Sequence, residues 1–74
     1  MDTDNLVHMA NRIGEFFQTM PEREEAVLEI TQHLRKFWAP RMRHELLEHV
    51  DRTGGDDLLP LVRQAVLVHR HELI

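Results

Sequence analysis

The sequence predicts a small all-α bundle of three to four short helices. Three observations carry that expectation. Apolar residues recur at alternating steps of four and three, the period of one helix face. Proline and glycine sit between those runs and not inside them, apart from Gly14. No stretch shows the period-two alternation of a strand, and no internal repeat or low-complexity segment is present.

The first helix is expected over about residues 5–18, with Asp4 as its N-cap. Leu6, Ala10, Ile13, Phe17 and Met20 form its apolar line, widened by Met9 and Phe16. Gly14 falls inside it and reads as a tolerated weak spot costing about 1 kcal/mol relative to alanine, with close approach of another backbone as the sharper reading. Thr19-Met20-Pro21-Glu22 has the form of a capping box, which starts the second helix near residue 20. Arg23, Val27, Ile30, Leu34 and Phe37 follow one line of that helix, flanked by Ala26 and Trp38. Two such stripes joined by a short turn predict an antiparallel pair.

Ala39 precedes Pro40 and is biased away from helical geometry, so the second helix, about 20–39, ends there and Pro40 opens the third. The third, about 40–52, places Met42, Leu46, Leu47 and Val50 inward and pairs Glu48 with Arg52. Thr53-Gly54-Gly55 ends it. A fourth, about 60–71, begins near Pro60 and presents Leu61, Val62, Ala65 and Val66, with a frayed tail from His69. Residues 1–74 read as one domain.

Composition narrows the function. A chain of 74 residues buries a marginal core, and without cysteine it has neither a disulfide nor a thiolate metal site. The net charge of −4 disfavours nucleic acid and anionic membranes as general partners. No apolar run approaches the roughly 20 residues that span a bilayer, and the acidic start lacks a signal-peptide pattern, so a cytoplasmic location is expected. Serine is absent too, which removes serine and cysteine triads. His44 and His49 are five apart, about 140° around a helix, which is the wrong spacing for a zinc-protease helix. They read as surface residues, and the six histidines suggest no more than adventitious metal binding.

One stretch breaks the acidic pattern: Arg35-Lys36-Phe37-Trp38-Ala39-Pro40-Arg41-Met42-Arg43, with four of the nine Lys and Arg residues and no acid. Arg35 and Lys36 suit the end of a helix. Arg41 and Arg43 fall in a first turn, where a cation costs about 0.3–1 kcal/mol. That cost is offset either by pairing with acids of the second helix or by an acidic or carbonyl-rich patch on another protein. Trp38 lies at the edge of its stripe and has two roles open to it: largest core side chain, which has precedence, or interface anchor.

Three blocks resemble a known family. Met9-Ala10-Asn11-x-Ile13-x-x-Phe16-Phe17, the central His33 to Arg43 run, and Pro60-Leu61-Val62-Arg63 are similar to the delta subunit of soluble NAD-dependent, molybdenum-containing formate dehydrogenases. Leu59 stands where the family tends to place a serine before the proline. The resemblance implies a non-catalytic accessory subunit that supports assembly, stability or cofactor retention by binding the large alpha subunit. Molybdenum–pterin, iron–sulfur clusters, flavin and NAD are then expected in the alpha, beta and gamma partner subunits and none in this chain. The matching positions Arg35, Lys36, Trp38, Arg41 and Arg43 are the expected partner face. The alternatives are a free-standing helical nucleic-acid-binding module, testable by salt titration against duplex DNA, and a self-associating helical protein, testable by sedimentation.

Overall fold

In the computed structural model, which describes residues 2–74, the chain folds as an all-α bundle of five helices: α1 Thr3–Phe17, α2 Arg23–Phe37, α3 Pro40–Thr53, α4 Pro60–Val68 and α5 Arg70–Leu73. No strand occurs among these residues, and no helix is long and apolar enough to cross a membrane. α2 packs chiefly on α4, while α1 lies against α2, α3 and α4. Antiparallel pairing of α1 with α2 alone therefore does not describe the core. Leu6, Ile30, Leu34, Leu46, Val62 and Val66 fill its centre, each with almost no exposed surface.

The ends of the helices follow local chemistry. Asp2, not Asp4, caps α1: its Oδ1 accepts the Asp4 N–H at 3.2 Å, and Asp4 becomes an acid in the first turn, where the dipole favours it. The capping box expected at Thr19–Glu22 does not form. The Thr19 hydroxyl donates to the Phe16 carbonyl at 3.0 Å, one of the acceptors left open at the end of α1, so it closes α1 instead of opening α2. α2 starts at Arg23 with Glu22 as an extended N-cap. Gly54, at φ 88°, caps α3 in the left-handed region, where a side chain would be strained. Pro40 and Pro60 occupy first-turn positions of α3 and α4.

Two expectations fail at tertiary contacts. α4 stops at Val68, and after His69 the chain forms α5, whose Leu73 is only 1% exposed; the tail is docked and not frayed. Gly14 is buried and faces α4, where an added Cβ would collide with Val62 Cγ2 and stand 3.2 Å from Leu59 Cδ1. It is a close-approach position, made by side chains and not by a second backbone. Gly14→Ala should therefore destabilise the fold. The helix-propensity gain of about 1 kcal/mol is opposed by overpacking of about 1–3 kcal/mol against a fully buried valine. Chemical denaturation checks this, and a variant more stable than the parent would show that Val62 yields freely.

Candidate partner-docking surface

The junction of α2 and α3 places the five residues expected at a partner face in different environments. Trp38 is only 6% exposed and belongs to the core. The reason is backbone geometry. Trp38 and Ala39, ahead of Pro40, are both extended, at φ −89°, ψ 135° and φ −62°, ψ 149°. Helical periodicity ends at Phe37, so the 100° step that puts Trp38 on the edge of the stripe no longer applies. The indole packs inward, into the core cluster.

The cations of that corner remain largely outward. Arg35 is 61% exposed and has a long contact of 3.8 Å to Glu72. Lys36 and Arg41 are exposed, and neither has a carboxylate within 4.0 Å among the described residues. Arg43 is half-buried; its Nη1 lies 3.5 Å from the Arg35 carbonyl, and its Nε is buried without a partner. The negative pole at the end of α2 thus offsets part of the cost of a cation in the first turn of α3. It does so through a carbonyl, not through the acids of the second helix. Glu48 and Arg52 meet at 4.0 Å, both exposed.

Phe37 shows the opposite correction. Its place on the α2 stripe predicts burial, yet it is 71% exposed. Phe16 of α1 is 72% exposed. Between them the rings form a chain: Phe16 to Phe17 at 5.0 Å and edge-on, Phe17 to His33 at 6.2 Å, His33 to Phe37 at 4.8 Å. These spacings fall in the favourable range for aromatic pairs. Arg12, Ile13, Phe16, Phe17 and His33 line a shallow groove along this chain. The signal for it is the two aromatic dipeptides. Adjacent helical residues point about 100° apart, so both members of Phe16-Phe17 cannot face the centre of one core.

The polar residues that resemble chemistry hold the scaffold. His49, expected at the surface, is buried on α3, with Nε2 3.0 and 3.1 Å from the two Asp57 oxygens. The Thr53 hydroxyl donates to the His49 carbonyl at 2.8 Å and accepts from Gly55 N–H, so it is committed to the helix end. Asn11 donates to the Asp57 carbonyl at 2.9 Å, while its Oδ1 accepts the Leu59 N–H at 2.8 Å. With both ends of one carboxamide, α1 thereby clamps the chain that leads into α4. Leu59, which cannot cap α4 with its own side chain, has its N–H satisfied in this way. Arg23 Nε donates to Gln64 at 2.8 Å and Arg63 Nε to the Gly54 carbonyl at 2.7 Å, tying α4 to α2 and to the end of α3. Among the described residues no group of three or more His, Asp or Glu side chains is placed to hold a metal ion. Without cysteine the chain has no thiolate for an iron–sulfur cluster.

Short helices around one core, with two phenylalanines and several cations turned outward, define a small helical module. The family model of the NADH-dependent formate dehydrogenase delta subunit, FdsD, matches residues 5–66, and the chain belongs to that family. No curated protein and no solved structure matches the chain. The matched span contains Asn11, the basic corner and the start of α4, and the fold joins the first of these to the chain leading into the last.

Proposed function

We propose that this delta subunit is a non-catalytic accessory component of a cytoplasmic, NAD-dependent formate dehydrogenase. It binds the large alpha subunit and supports the assembly, stability or cofactor retention of the complex. The observation that carries the reading is the family match over residues 5–66. The surface supports it: Lys36 and Arg41 are exposed cations without a carboxylate of their own chain within 4.0 Å among the described residues, beside a phenylalanine with most of its area in solvent. Arg and aromatic residues are the types that most often anchor interfaces. Arg35, Lys36, Arg41 and Arg43 form the polar part of the contact and Trp38 supports it from within. In this reading the chain carries no cofactor, and molybdenum–pterin, iron–sulfur clusters, flavin and NAD belong to the alpha, beta and gamma subunits.

Co-expression tests it. A tagged copy of the chain should co-purify with the large subunit, and omitting the chain should lower either the molybdenum content of the purified complex or its half-life on heating. A complex with the same metal content and the same half-life in both cases, and no co-purification, would overturn the reading.

A further inference from the structure

The geometry points to the aromatic groove between α1 and α2 as the seat of an apolar, acid-bearing segment of the large subunit; this rests on the accessory-subunit reading and adds the site and the chemistry of its occupant. Phe16 and Phe37, at 72% and 71% exposed, are the two most exposed large apolar side chains among the described residues, and both stand on the one ring chain. Exposed phenylalanines in a continuous patch, with less exposed rings between them, have the composition of an interface centre and not of ordinary surface.

Charge selects the occupant. The protein has 13 acidic residues against nine basic ones, yet no acid lines this groove, and Arg12 does. Lys36 is exposed and precedes Phe37, whose ring meets His33 at 4.8 Å. Arg12 and Lys36 have no carboxylate of their own chain within 4.0 Å among the described residues. An apolar floor lined by Arg12 and by no acid fits a segment that presents apolar side chains next to Asp or Glu. A second copy of this chain fits less well. A two-fold contact through the same groove offers Arg12 no carboxylate from the other copy's groove, because no acid lines it. Phe37, the last member of the ring chain, shares the final turn of α2 with Arg35 and Lys36.

The test measures binding of the full chain to the purified large subunit at low and moderate salt. The pair Phe16→Ala with Phe37→Ala should weaken binding roughly 30-fold or more, the scale of two interface anchors. The melting temperature should stay near the parent's, because both rings are exposed. Arg12→Glu with Lys36→Glu should slow association and flatten its salt dependence. Leu67→Ser, 44% exposed and outside the groove, should bind as the parent does. If the unaltered chain binds and the Phe variant binds equally well, the groove is not the seat. If the Phe variant is weak but the charge reversal leaves the salt dependence intact, the acid-bearing chemistry is wrong. A dimer of the isolated chain that the Phe variant dissolves would give the groove to a second copy instead. Failure of the unaltered chain to bind the large subunit removes the accessory-subunit reading, and with it this occupant.

Discussion

Trp38→Ala should cost about 3–5 kcal/mol, whereas Phe37→Ala, one residue away, should leave the melt of the isolated chain almost unchanged. Trp38 is 6% exposed within the core cluster, and Phe37 is 71% exposed. A chain of 74 residues has a total stability of roughly 4–11 kcal/mol at the usual 0.05–0.15 kcal/mol per residue. Loss of the indole therefore removes about a quarter of that stability at least. At about 4–8 °C per kcal/mol for a domain of this size, the melting temperature should fall by about 12 °C or more. Differential scanning calorimetry on the two variants decides the matter. A Trp38→Ala variant that melts like the parent would mean that the side chain is outside the core and available to a partner after all. Binding to the large subunit should show the reverse order among folded molecules: Phe37→Ala weak, and Trp38→Phe, which keeps an aromatic ring in the core, close to the parent.

That pair of residues also marks where sequence reasoning stopped. The stripe on α2 places Val27, Ile30 and Leu34 in the core correctly, because the helix is regular there and each side chain sits one turn from the next. The same arithmetic fails at Phe37 and Trp38, where the helix ends and two extended residues redirect the chain. Proline at position 40 announces the break but does not fix which side chain turns inward. Cations at the corner were legible from composition alone. Which of them stay free was not, since Arg43 is held by a carbonyl of the preceding helix. Gly54 and Pro60 were legible as a stop and a start because a left-handed cap and a first-turn proline are local requirements. Gly14, His49 and Asn11 take their roles from residues 45 to 48 positions away, or from a loop eight residues on, and no local rule supplies that information.

The tail of the chain gives the second large effect. Leu73→Ala should cost about 2–5 kcal/mol, because Leu73 is 1% exposed and belongs to the same core as Leu34 and Leu46. Read as a sequence, residues 69–72 are two histidines, an arginine and a glutamate, and polar termini of this kind usually fray. What holds them is one apolar side chain beyond them and, through Arg70, a close ion pair to α3, with the longer Arg35–Glu72 contact beside it. Arg70 donates to both oxygens of Asp51, at 2.8 and 2.6 Å, fixing α5 to α3. Those hydrogen bonds raise the Arg70 pKa above its ordinary value against a smaller opposing effect of burial, and arginine is charged throughout the physiological range in either case. The pair stands in solvent, so Arg70→Gln should cost far less than Leu73→Ala. The two variants separate the contributions: hydrophobic burial anchors the segment and the ion pair sets its direction. Urea denaturation of both, together with amide exchange at Val66 and Leu46, tests the assignment. Equal losses in the two variants, or unaltered exchange at the core amides in Leu73→Ala, would show that α5 is held by charge and that the leucine adds little.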